Sequence, residues 1–124
     1  DLGPLLDRPA AALTVAGRKR LELARALAIE PRLLLLDEVL AGLNPTEIRD
    51  IVPVIRDLCR RGITILMIEH VMQAVMSLAE HVFVLAEGRV IAQGAPAQIA
   101  QDPLVVEAYL GHGAAAKWRA ARDQ

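Results

Sequence analysis

The stretch LLLLDEVLAGLNP, Leu33 to Pro45, decides how this chain is read. Four leucines run straight into two adjacent carboxylates, Asp37 and Glu38. Periodicity alone does not separate so short an apolar run from a helix, but its length and context argue for a buried central strand. A buried run that ends in two charges asks what those charges serve.

Upstream, KRLELARALAI (Lys19 to Ile29) is rich in strong helix formers, and Pro31 ends the helix. Residues 1–12, with Gly3, Pro4 and Pro9, read as a loop or short helix. Downstream, Asn44 is placed to cap a helix, Pro45 suits its first position and Glu47 has capping-box spacing. Ile48, Ile51, Val52, Ile55, Leu58 and Cys59 form its apolar face, and Gly62 closes it. Pro53 lies inside this pattern, and a mid-helix proline costs about 3 kcal/mol, so a kink or two short helices are expected there.

ITILMI (Ile63 to Ile68) is a second β-branched apolar strand, and VMQAVMSLA (Val71 to Ala79) reads as helix. HVFVLAEGRVIAQG gives two strands around Glu87-Gly88. APAQIAQDPLVVEAYLG gives two short helices, the second starting near Asp102-Pro103. The sequence from His112 onward is a frayed, Ala/Arg-rich tail. The alternation of helix and strand is that of an α/β fold with a mostly parallel sheet flanked by helices. Strands without polar alternation imply that both sheet faces are covered.

The bulk composition restricts function. The chain has 124 residues, 54% of them apolar and 23% charged, enough for one globular domain with a modest core. A net charge of -1 gives no global footprint for nucleic acid or anionic lipid, so no nucleic-acid partner is expected. The single cysteine, Cys59, excludes an internal disulfide and reads as a core thiol beside Ile55 and Leu58. No apolar run has the length of a membrane span, and no signal peptide is recognisable. A first residue of Asp1 rather than Met points to a piece of a longer protein.

In parallel α/β sheets ligands bind beyond the carboxyl ends of the strands. Asp37, Glu38 and the pair Glu69-His70 each lie at such an end. Taken singly they have ordinary structural explanations, as caps or surface charges. Together they suit phosphoryl transfer from a nucleotide, which needs a metal ligand, a positioned water and charge stabilisation on the phosphoryl group. An Asp can hold Mg²⁺, an adjacent Glu can orient or deprotonate water, and a His one strand over can hydrogen-bond a γ-phosphate.

The ordered set LTVAGRKRLELARALAIEPRLLLLDE, AGLNP and ILMIEH resembles the C-terminal half of an ABC-type ATPase domain, of P-loop, RecA-like fold, over about residues 13 to 111. RLLLLDE resembles the Walker B strand, LTVAGRKR aligns with the signature usually written L-S-G-G-Q, AGLN lies where the D-loop does, and His70 matches the switch histidine. The resemblance implies Asp37 as a Mg²⁺ ligand, Glu38 as general base or water-positioning residue, and His70 as a γ-phosphate contact. Thr14 keeps the hydroxyl of the signature serine. Ala16 replaces the second signature glycine and Gly17 the glutamine, and Asn44 stands for the D-loop aspartate. In this family the signature and D-loop meet ATP held by a partner domain. The basic trio Arg18, Lys19 and Arg20 is unfavourable at a helix N-terminus, which favours an anion nearby.

No G-x-x-x-x-G-K-[ST] loop and no Gly-Lys dipeptide occur. That loop supplies the amides and lysine that hold the β- and γ-phosphates. The expectation is therefore a fragment: residues 1–111 form the C-terminal portion of an ABC ATPase domain, 112–124 form a flexible tail, and the chain alone is inactive.

The distal blocks EHVMQAVM and DP…V.EAYLG are similar to ATP-binding subunits of branched-chain amino acid importers. That likeness implies ATP and Mg²⁺ as cofactors and transmembrane permease subunits as partners. It also implies a homologous second ATPase in a heterodimer, an indirect periplasmic substrate-binding protein, and a peripheral position on the cytoplasmic face of the bacterial inner membrane. Two alternatives are an ATPase of lipopolysaccharide export, which shares the pattern, and a non-enzymatic interaction fragment. A DNA-repair or chromosome-maintenance ATPase would need long coiled-coil heptads, which this chain lacks.

Overall fold

A computed structural model of the chain describes residues 2–110. The expected tail at 112–124 lies outside the described residues. One compact unit runs to Ala74 and a second begins at Val75.

The first unit opens with two single 3₁₀ turns, Gly3–Leu5 and Ala10–Ala12. Helix α1 spans Val15–Leu27. It starts upstream of the expected Lys19 because Thr14 is its cap, with Oγ1 accepting the Gly17 N–H at 3.1 Å. It ends before Pro31, as expected.

Strand β1 (Leu33–Asp37) and strand β2 (Thr64–Ile68) pair in parallel, with Leu33 opposite Thr64 and Asp37 opposite Ile68. The run of leucines does not bury both faces. Leu34 and Leu36 are 4% and 7% exposed, whereas Leu33 and Leu35 are 54% and 66% exposed. Successive side chains of a strand point to opposite faces, and among the described residues one face is covered and the other open. The expectation of a sheet covered on both sides is corrected accordingly.

Helix α2 (Pro45–Arg60) crosses between these strands. The Asn44 side chain accepts the N–H groups of Thr46 and Glu47 at 2.9 and 3.0 Å, and Glu47 Oε2 accepts the Asn44 N–H at 2.9 Å. This is the expected capping box. At the other end Ile63 N–H donates to the Leu58 carbonyl and Gly62 N–H to the Cys59 carbonyl, with Gly62 at φ +89°. That is a Schellman close, which needs a residue tolerant of positive φ.

Of the two alternatives expected at Pro53, a kink or two short helices, the second is absent: the chain runs through Pro53 as one helix. Proline removes a single donor from the ladder, Pro53 itself is exposed, and Ile51, Ile55 and Leu58 stay buried on either side of it. Cys59 is exposed and not part of the core. The buried stripe follows i, i+4, i+7 from Ile51, and Cys59 lies one residue further round the helix, beyond its edge.

Helix α3 (Met72–Leu78) carries the chain into the second unit. There β3 (Val82–Ala86) and β4 (Arg89–Gly94) form an antiparallel hairpin, with a register shift between Val84 and Leu85. Its two-residue turn has Glu87 at φ +49° and Gly88 at φ +73°, the type I′ pattern that matches strand twist. Helices α4 (Pro96–Ile99) and α5 (Pro103–Leu110) follow. Asp102 Oδ1 accepts the Leu104 N–H at 2.8 Å, so the expected Asp-Pro start holds. Val84, Ile99 and Val105 make the core of this unit, flanked by Met76, Val82, Ile91 and Ala92.

Candidate functional site

Parallel pairing places the carboxyl ends of β1 and β2 side by side, so residues far apart in sequence share one edge. Glu38 N–H donates to the Ile68 carbonyl at 2.9 Å and carries the ladder one residue past Asp37. Glu38 itself lies at φ +45°, a left-handed conformation that an L-residue with a side chain adopts against a penalty of about 1–2 kcal/mol. Its carbonyl closes a tight turn by accepting the Ala41 N–H at 3.0 Å. Lys19 Nζ, from the first part of α1, stands 3.5 Å from the same carbonyl.

This backbone brings the Glu38 carboxylate to the β2 end. Glu38 Oε1 and His70 Nδ1 are 3.5 Å apart, with side chains 56% and 63% exposed. That separation is long for a hydrogen bond, and an exposed pair adds little stability. The importance of the pair is positional: an acceptor and a titratable ring face one space open to solvent. Asp37, the last residue of β1, is exposed. Together with Lys19 and Glu22 it lines an open groove of about 150 Å³ between α1 and β1. Small-molecule pockets run to roughly 300–1,000 Å³, so this groove is too small to enclose a nucleotide.

Among the described residues no group of three or more His, Cys, Asp or Glu side chains could hold a metal ion. Asp37 nevertheless fits Mg²⁺ chemistry, because that ion commonly takes one or two carboxylates and completes its shell with water and phosphate oxygens.

The remaining expected residues lie at helix N-termini. Thr14 Oγ1 is engaged as an acceptor in capping α1, which leaves its O–H free to donate. Gly17 is buried, and a Cβ there would stand 3.2 Å from Leu13 Cβ, so the glycine answers a steric need. Its N–H is already committed to Thr14. Ala16 is half-buried in the same turn. Asn44 spends its side-chain oxygen on two α2 amides. Glu38 and His70 are thus brought together, Asp37 lines the groove beside α1, and Thr14, Ala16, Gly17 and Asn44 serve local caps and turns.

Sequence reasoning noted Glu69 only as the neighbour of His70. Its Oε1 accepts the Leu40 N–H at 2.8 Å across 29 residues of sequence, a contact no local pattern encodes. Lys19 was legible only as one of a basic trio.

Residues 89–115 match the family described as branched-chain amino acid ATP-binding cassette transporter. The chain is 42% identical over 112 residues to the high-affinity branched-chain amino acid transport ATP-binding protein BraF of Pseudomonas aeruginosa, covering 90% of this chain and 44% of that protein. It is 40% identical over 110 residues to the lipopolysaccharide export system ATP-binding protein LptB of Acidithiobacillus ferridurans, covering 89% and 46%. A solved nucleotide-free ATP-binding cassette from an ABC transporter superposes with a TM-score of 0.81 at 35% identity, over 90% of this chain and 46% of that one. The chain spans about half the length of the curated relatives it matches. It therefore resembles the C-terminal half of an ABC transporter ATP-binding subunit, with a likeness to those of branched-chain amino acid importers, and its α/β fold is that of part of an ABC ATPase domain.

Proposed function

We propose that this chain is the water- and metal-side portion of an ABC-type ATPase that energises a membrane importer, of branched-chain amino acids by its likeness. The observation that carries the reading is the meeting of Glu38 and His70 at 3.5 Å on the edge of a parallel strand pair, where Asp37 ends the first strand. Glu38 would orient the attacking water and accept its proton as the γ-phosphoryl group departs. The His70 ring would donate a hydrogen bond to a γ-phosphate oxygen, holding it near that water. Mg²⁺ held by Asp37 would supply charge neutralisation on the phosphates. Thr14 would donate its free O–H to ATP bound by a second, homologous ATPase domain, aided by the positive end of α1. Ala16 and Gly17 complete that turn, and Asn44 lies at the matching D-loop position.

The partners of this reading are a second ATPase subunit in a heterodimer, permease subunits and, indirectly, a periplasmic substrate-binding protein. The place is the cytoplasmic face of the inner membrane. No helix among the described residues is long and apolar enough to cross a membrane, which accords with a peripheral subunit. A lipopolysaccharide-export ATPase is a second reading, favoured by the 40% identity to LptB; the match at 89–115 favours the importer.

In the complete subunit, Glu38→Gln is expected to leave ATP binding intact and slow turnover by at least about a hundredfold, the scale of losing a general base. Wild-type turnover in that variant removes Glu38 from catalysis. The 124-residue chain alone, without a phosphate-binding loop, is expected to show no turnover, and a measurable rate overturns that part of the reading.

A further inference from the structure

We infer that Glu69 is a positioning residue for Glu38, tying the end of β2 to the turn that aims the Glu38 carboxylate. The inference rests on the ATPase reading for its consequence, but the tie itself does not.

The turn after β1 is held at three points. Glu38 N–H donates to the Ile68 carbonyl at 2.9 Å, Ala41 N–H donates back to the Glu38 carbonyl at 3.0 Å, and Leu40 N–H donates to Glu69 Oε1 at 2.8 Å. The first and last contacts reach consecutive residues of the β2 end, immediately before His70. Leu40 is 1% exposed, so its amide has no access to bulk water and needs an internal acceptor. A carboxylate oxygen at 2.8 Å is a charge-assisted acceptor, stronger than a neutral one. Glu69 Oε2 is buried and has no protein hydrogen-bond partner. The carboxylate of this half-buried side chain therefore points at the turn.

Glu38 needs such a hold. Its φ of +45° is unfavourable for a side-chain-bearing residue and persists only where surroundings fix it. With Leu40 released, Glu38 would be free to relax to negative φ, and its carboxylate would swing away from His70. Glu69 acts through Glu38 and does not itself touch the reacting atoms.

The test uses the full protein that carries this chain, with Glu69→Leu, Glu69→Gln and Glu38→Gln compared. In Glu69→Leu, amide exchange at Leu40 should speed by about tenfold or more, because its acceptor is gone. Turnover should fall by about tenfold to a hundredfold with KM for ATP within about twofold, the pattern of a misplaced catalytic group. Glu69→Gln, whose amide oxygen can accept the same N–H, should restore most of both.

Unchanged Leu40 exchange in Glu69→Leu overturns the tie. Unchanged turnover, or a KM rise that accounts for the loss, overturns the positioning role. If Glu69→Leu fails to fold, Glu69→Asp takes its place. It keeps the carboxylate but falls one methylene short of Leu40, and unchanged exchange there likewise overturns the tie. No ATP turnover by the unsubstituted full protein is the separate signature of a failed ATPase reading, normal turnover in Glu38→Gln removes Glu38 from catalysis, and in either case Leu40 exchange still judges the tie.

Discussion

Backbone conformation at single residues carries much of the information in this chain. Glu38 and Glu87 both sit at positive φ, +45° and +49°, where side chains are disfavoured. Glu38 stands 3.5 Å from His70 at the strand edge. Glu87 occupies the first position of a type I′ hairpin turn and is exposed. Asparagine is the preferred residue there, so Glu87→Asn should raise stability by about 0.5–1 kcal/mol, read as a higher denaturant midpoint at unchanged slope. A lowered midpoint would mean that Glu87 makes a contact worth more than its strain. Residues whose partners lie within four positions are legible in sequence where their residue types are strong cap formers. Asn44 and Glu47 announced their capping box because each partner is three residues away. Thr14 was singled out for its hydroxyl, but its use as a cap was missed, since a Thr before a basic stretch looks less like a helix start than an Asn before a proline.

At the scale of elements, α2 shows how packing overrides propensity. Its sequence contains a proline in the ninth position of a sixteen-residue helix, yet the helix persists because both ends are capped and Ile51, Ile55 and Leu58 are buried. The penalty is still present in the folded state. Pro53→Ala should therefore stabilise the first unit by about 1–3 kcal/mol, seen as a raised thermal midpoint. No change would mean that Pro53's restriction of the unfolded chain offsets it. The misplaced Cys59 has a related origin: a helical wheel gives the stripe but not its width, and the width is set by what packs against it.

For the molecule as a whole, the informative feature is the open face of the parallel pair. Leu35 and Leu66 are directly opposed in register and are 66% and 58% exposed, with Leu33 and Ile68 beside them. Contiguous apolar surface of this kind drives association in water. Replacing Leu35 and Leu66 by threonine, which retains β-propensity, should lower concentration-dependent self-association of the 124-residue chain in sedimentation velocity. Undiminished association would locate the sticky surface elsewhere. The sequence by itself determined the elements, the caps at Asn44 and Asp102 and the hairpin turn, because these depend on contacts a few residues apart. It also showed that carboxylates and a histidine stand at strand ends. Which face of β1 is buried, the approach of Glu38 to His70, and the reach of Glu69 to the Leu40 amide were decided only by tertiary structure. Those outcomes depend on β1 and β2 pairing across the whole length of α2, and a long-range pairing leaves no periodic mark on the residues it joins.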